Sequence, residues 1–65
     1  MIVYVDENRT EVQTGARVRD AISMHDHYLM IKLLQGVIKV KDESGNIRLP
    51  DGLLSEKDHL YIIQI

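Results

Sequence analysis

One stretch of this chain, residues 14–25, has the pattern of an amphipathic helix and stands between segments that alternate like β-strands. Val18, Ala21, Ile22 and His25 follow the spacing i, i+3, i+4 and i+7, which places them on one helix face. Thr14 is of a residue type that caps helix starts. Because the flanking segments carry apolar residues that need cover, we expect this helix to pack on one face of a sheet.

Short β-branched and alternating segments on both sides of the helix predict strands. Asn8 tolerates the left-handed conformation of a tight turn, so the first two strands should form a hairpin around it. Polar and glycine-containing turns separate the later strands. The five predicted strands are residues 2–5, 10–13, 37–41, 47–49 and 60–65.

Residues 28–34 are almost wholly apolar, and their periodicity is ambiguous. A second helix or an extension of the first is preferred, with a strand as the alternative. Gly36 ends the segment in either case. The prediction is a single α+β domain over residues 1–65, with the order ββαβββ and one main helix packed on one face of a mixed sheet.

A hairpin, a helix and three further strands resemble the β-grasp, or ubiquitin-like, fold. Within that fold, TGS domains have the pattern Gly-Ala-x-Val-x-Asp-x-Ala followed by a histidine, which residues 15–22 and His25 resemble. Their closing pattern, Leu-x-x-Gly-Asp-x-hydrophobic-x-Ile, is similar to residues 54–62, with Lys57 in place of the glycine. The resemblance implies a β-grasp domain and, as one alternative, an RNA-binding adaptor like a TGS domain.

The closing pattern also resembles the sulfur-carrier proteins of thiamine and molybdopterin synthesis, which are small and free-standing. Their chemistry depends on a carboxy-terminal Gly-Gly that is adenylated and then thiocarboxylated. This sequence ends in Gln64 and Ile65 without a glycine pair. A divergent sulfur-carrier-like protein of cofactor biosynthesis is kept as an alternative function. The resemblance as a whole implies the fold more than the function.

Composition excludes several classes of function. The chain has no cysteine, so it has neither disulfides nor thiolate metal ligands, as is usual in a reducing cytoplasm. Ten acidic and eight basic residues give a net charge of −2, which argues against a dedicated nucleic-acid binder. The sequence has neither an apolar run of about 18 residues nor a signal-peptide pattern. We expect a cytoplasmic protein with no membrane association.

The sequence offers no constellation for catalysis or for a cofactor. The serines lie at a helix surface, a turn and a cap, where serine has ordinary structural roles. No glycine-rich loop could cradle a phosphate. His25 and His27 point to different sides of a continuous helix, so they could converge on a metal only if the helix had already ended. We therefore predict a protein that is not an enzyme and binds neither metal nor cofactor.

The predicted sheet has more apolar residues than one helix can cover. Alternation turns Val3, Val5, Leu60 and Ile62 toward the helix and sends their neighbours to the opposite face. In the β-grasp order the first and last strands are central neighbours, so the outward residues should form one patch with a basic border. The predicted patch consists of Ile2, Tyr4, Tyr61, Ile63 and Ile65, bordered by Lys39, Lys41 and Arg48.

An exposed apolar patch with a polar rim is typical of a protein interface, and tyrosine is enriched at such surfaces. The patch therefore predicts a non-enzymatic protein-binding or regulatory module that uses its open sheet face to bind a larger protein partner. Homodimerisation through the same face is an alternative. In the RNA alternative, bases would stack on the tyrosines while the lysines and Arg48 meet phosphates.

Overall fold

The computed structural model describes residues 1–64 and, within them, one mixed sheet and two helices in the order ββααβββ. The prediction for Ile65 lies outside the described residues. The strands are β1 (Ile2–Val5), β2 (Asn8–Glu11), β3 (Ile38–Asp42), β4 (Ile47–Arg48) and β5 (His59–Gln64). The helices are α1 (Val18–His25) and α2 (His27–Leu34).

The first and last strands lie side by side in the middle of the sheet. The strand order is β2-β1-β5-β3-β4, and β1 pairs with β5 in parallel while the other neighbours are antiparallel. Tyr4 stands beside His59 and Val5 beside Leu60 in the parallel ladder. The first and last strands thus form the centre of the sheet, as the resemblance described above implied.

The core lies between the inner sheet face and the helices. The helix residues predicted to cover the sheet, Val18, Ala21 and Ile22, are fully buried. Ile62 is half-buried and packs against this core, so the predicted facing of β5 is confirmed. The fully buried strand residues are Val3, Val5, Val40 and Leu60, with Ile38 almost as deep.

The prediction of one main helix is wrong, because two helices of eight residues each follow the hairpin. Asp26 separates them in an extended conformation, and its carboxylate accepts the Tyr28 N–H at 2.9 Å, which caps α2. The preferred helix over residues 28–34 is confirmed, and the alternative strand is not observed. Only Leu33 of α2 is buried, whereas Leu29 and Met30 are partly buried against the core.

The start of α1 also differs from the prediction. Thr14 is not the cap, since the helix begins at Val18 and Arg17 is its N-cap residue. The Asp20 carboxylate accepts the Arg17 N–H at 2.8 Å, which satisfies a backbone donor that the helix leaves unpaired. A carboxylate in the first turn is also favoured by the helix dipole.

The turn of the first hairpin is shorter than predicted, and the second strand begins two residues earlier, at Asn8 instead of Thr10. Asp6 (φ 49°) and Glu7 (φ 70°) occupy the left-handed region, as a two-residue type I′ turn requires. Asn8 instead begins β2, and its Nδ2 donates to the Val5 carbonyl at 3.1 Å. Asn8 was predicted at the left-handed position because asparagine tolerates that conformation.

The turn before β5 is tight but not helical. The Asp58 carboxylate accepts the Ser55 N–H at 2.8 Å, and the Lys57 N–H donates to the Ile2 carbonyl at 2.6 Å. Lys57 has a φ of 64°, in the left-handed region that favours glycine. Glycine would therefore suit this position of the turn better than lysine does.

Lys57→Gly should stabilise the protein. Glycine relieves the left-handed strain of the folded state, but it also gives the unfolded chain more conformational freedom. The first effect is the larger, so the free energy of unfolding should rise by about 0.5–1 kcal/mol. Urea unfolding of both proteins measures the difference. Lys57→Ala is the matched control, because alanine removes the long side chain but keeps the Cβ atom. An equal gain from alanine would contradict the steric explanation.

Candidate binding surface

The sheet face away from the helices is defined by strand register. Residues paired across neighbouring strands point to the same face, and the pairs Tyr4–Arg9, Tyr4–His59, Lys41–Tyr61 and Lys39–Ile63 all point outward. We call this surface the open face. Its residues are Ile2, Tyr4, Arg9, Glu11, Lys39, Lys41, Ile47, His59, Tyr61 and Ile63.

Of the residues predicted for binding, Ile2, Tyr4, Lys39, Lys41, Tyr61 and Ile63 lie on the open face. Arg48 does not, which corrects its predicted place in the basic border. Arg48 pairs with the buried Val40 and so lies on the helix side of the sheet. There its Nη2 donates to the Leu53 carbonyl at 2.8 Å and lies 3.5 Å from the Asp58 carboxylate.

The apolar and aromatic residues of the open face are partly covered by one another. Ile2, Tyr4, Tyr61 and Ile63 are half-buried, while Lys39 and Lys41 are exposed. The rings of Tyr4 and His59 stack with centroids 4.7 Å apart and planes inclined by 17°. His59 was not among the residues predicted for this surface, although its position two residues before Tyr61 places it on the same face of a strand.

Glu7 extends from the hairpin turn over the end of the open face. Its carboxylate accepts a short hydrogen bond from the Tyr61 hydroxyl, and its other oxygen lies 4.0 Å from His59 Nδ1. That nitrogen is buried and has no hydrogen-bond partner among the described residues. The bond to Glu7 raises the pKa of Tyr61 from 10.0 to about 12, with smaller contributions from burial and from Glu7, Glu43 and Asp6 charges.

The turn that carries Glu7 is strained, and β5 holds it in place. Asp6 and Glu7 are consecutive non-glycine residues with positive φ, and this conformation costs of the order of 1–3 kcal/mol for each residue. The Asp6 carboxylate accepts the Ile62 N–H at 3.1 Å, and the Asp6 N–H donates to the Leu60 carbonyl at 2.8 Å. These bonds fix a carboxylate beside the tyrosine and histidine of the open face.

The helix side exposes a second apolar surface that the sequence analysis missed. Tyr28, Ile31 and Leu34 follow i, i+3 spacing on α2 and are 64%, 39% and 54% exposed. The Lys32 ammonium lies 4.9 Å from the centre of the Tyr28 ring. The signal was present in the ambiguous periodicity of residues 28–34. When a helix is apolar on every side, a single sheet cannot bury all of its apolar side chains.

Two histidines, His25 and His27, lie on the helices. Among residues 1–64, no three or more histidine, aspartate or glutamate side chains are grouped to hold a metal ion. His27 lies in α2, where its Nδ1 is 3.0 Å from the Ser23 hydroxyl, while His25 ends α1. No helix in the described range is long and apolar enough to cross a membrane.

Comparison of the chain with protein-family models, with curated proteins and with solved structures finds no match. The geometry of the surfaces is therefore the basis for a functional proposal.

Glu7→Gln should return the pKa of Tyr61 toward 10.0, because the amide oxygen is a weaker hydrogen-bond acceptor than the carboxylate and carries no charge. In the wild type, the folded-state pKa lies above the ordinary value, so folding retains this proton. Its contribution to stability is complete below about pH 10 and is lost as the pH rises toward 12. The variant should therefore lose less stability across this window.

Alkaline titration of tyrosinate absorbance measures the pKa, with a Tyr61→Phe protein to assign the signal. Glu43→Gln is the matched control, because Glu43 acts on Tyr61 only through its charge. A Tyr61 titration that Glu7→Gln leaves unchanged would show that the hydrogen bond is absent in solution.

Proposed function

We propose that this chain is a cytoplasmic, non-enzymatic β-grasp module that binds a larger protein through its open face. The β-grasp assignment is supported by the initial hairpin, the helix packed on the inner face, and the parallel pairing of β1 and β5 at the centre of the sheet. Helix α2 is an addition to the predicted order and leaves the sheet topology intact.

The observation that carries the proposal is the pair of tyrosines beside two exposed lysines. Tyr4 and Tyr61 flank His59 on neighbouring central strands, and Lys41 is paired directly with Tyr61. Tyrosine rings supply large contact areas at a small cost in side-chain entropy. Exposed lysines favour acidic residues on the partner and speed their encounter. The expected partner surface is therefore apolar at its centre with acidic residues at one border.

The open face is less suited to the RNA alternative. Arg48, one of the three predicted phosphate contacts, lies on the helix side of the sheet. The Glu7 carboxylate sits at the Tyr61 hydroxyl, where it would repel a phosphate backbone. Tyr4 already stacks on His59, which occupies one face of the ring that a base would need. These contacts favour a protein partner over a nucleic acid.

The test is capture of a partner from extract of the cells that contain the natural protein. We expect Tyr4→Ser/Tyr61→Ser to reduce recovery of the captured protein at least about tenfold, because truncated interface tyrosines lose buried contact area. Tyr28→Ser/Ile31→Ser is the matched control, since it removes a similar apolar area from α2 on the other side of the molecule. Circular dichroism and thermal unfolding establish that each variant is folded.

If Tyr4→Ser/Tyr61→Ser unfolds, Lys39→Glu/Lys41→Glu tests the same face, because both lysines are exposed. Charge reversal should then also reduce recovery. Loss of the partner with the α2 variant, and retention with both open-face variants, would contradict the proposal and place the interface on the helix side.

A further inference from the structure

β2 is the outermost strand of the sheet, and no strand among residues 1–64 pairs with its outer edge. The register of the hairpin determines which backbone groups face that edge. Met1 and Val12 exchange both backbone hydrogen bonds, at 2.9 Å each. Because bonded and non-bonded pairs alternate in an antiparallel ladder, Arg9 and Glu11 form non-bonded pairs with β1. Their N–H and C=O groups therefore point away from the sheet.

The side chains on this edge carry opposite charges. Arg9 and Glu11 are both exposed and both lie on the open face, two residues apart. Neither belongs to a salt bridge among the described residues. Charged residues usually protect an edge strand from pairing, since like charges would meet in a second copy. Here the two signs alternate, so a second copy in antiparallel orientation can match them.

We propose that two copies of this chain pair through their β2 edges in an antiparallel, two-fold symmetric arrangement. The symmetry axis passes between Thr10 and its equivalent in the second copy. Arg9 of each copy then lies opposite Glu11 of the other. Each Arg9–Glu11 pair exchanges two backbone hydrogen bonds and brings opposite charges together on the open face. The two sheets become one continuous sheet.

The charges select this register over its neighbours. Because every second residue of β2 directs its backbone N–H and C=O groups to the edge, the two copies could also pair with one strand shifted by two residues. A shift in one direction places Arg9 opposite Arg9 of the other copy, and a shift in the other direction places Glu11 opposite Glu11. Like charges directly opposite one another destabilise a strand pair. Only the Thr10-centred register pairs both charges of each strand with their opposites, so the sequence specifies one arrangement.

The surroundings of β2 leave room for a second strand. A groove of about 600 Å³ lies between the strand edge and α1, lined by residues that include Glu11, Val12, Asp20 and Met24. It provides space on the helix side for side chains of the other copy. The opposite edge, β4, is only two residues long and offers little backbone for pairing. Pairing through β2 is therefore the edge contact that the fold favours.

Charge reversal tests this proposal at exposed positions. The wild-type chain should show a monomer–dimer equilibrium by sedimentation at low salt across a concentration series. Arg9→Glu alone, or Glu11→Arg alone, places like charges opposite at both symmetric pairs. We expect each single variant to weaken dimerisation roughly tenfold or more. The combined variant Arg9→Glu/Glu11→Arg restores opposite charges at both pairs and should recover the dimer.

Mixing the two single variants gives an independent readout. Arg9→Glu carries two acidic residues on its edge and Glu11→Arg carries two basic ones, so the mixture should form a heterodimer although neither variant dimerises well alone. Thermal unfolding establishes that each variant is folded. A wild-type chain that stays monomeric to millimolar concentration would overturn the proposal. A dimer that the single variants leave unchanged would also overturn it, because its interface would then lie elsewhere.

Discussion

The parallel pairing of β1 with β5 joins the two ends of the chain at the centre of the sheet. Backbone bonds from Tyr4 to Asp58 and from Asp6 to Leu60, each 2.8 Å long, connect residues more than fifty positions apart in sequence. Such a contact closes a long loop, and its entropic cost must be met by the burial that it permits. Val5 and Leu60 on the inner side are both fully buried. The core and the open face both depend on this pair of strands.

The pairing of β1 with β5 also stabilises the strained turn of the first hairpin. An isolated two-residue turn of this type favours Asn-Gly or Asp-Gly, so Glu7 stands where glycine is preferred. Here the strained backbone is offset by contacts with β5, because Asp6 accepts from the Ile62 N–H and Glu7 accepts from the Tyr61 hydroxyl. Strain that is held by tertiary contacts is more common at functional positions than in ordinary turns. Its location beside the tyrosines agrees with a role for the open face in recognition.

Sequence patterns predicted the elements correctly where the local conformational preference of the residues agrees with their packing in the fold. Spacing alone identified Val18 and Ile22 as the buried face of α1, and strand alternation separated the inner from the outer residues. Arg48 was assigned to the wrong face because a strand of two residues is too short for alternation to define its facing. The left-handed Glu7 could not be predicted locally, since glutamate is not a residue type that favours this conformation and its contact with Tyr61 joins distant parts of the sequence. The strand pairing that brings them together is a non-local property.

The proposed edge pairing has a consequence for binding through the open face. A two-fold axis perpendicular to a continuous sheet keeps equivalent faces on the same side, so both open faces would point in one direction. A partner with two matching sites, or a paired partner, could then bind both copies at once, and the second contact would form at high effective concentration. Arg9 and Glu11 lie at the seam, next to Tyr4 and Ile2 in the register of the hairpin. Dimerisation would thus enlarge the recognition surface without changing the fold of either copy. It would also add stability, because the core of a domain this small supplies little.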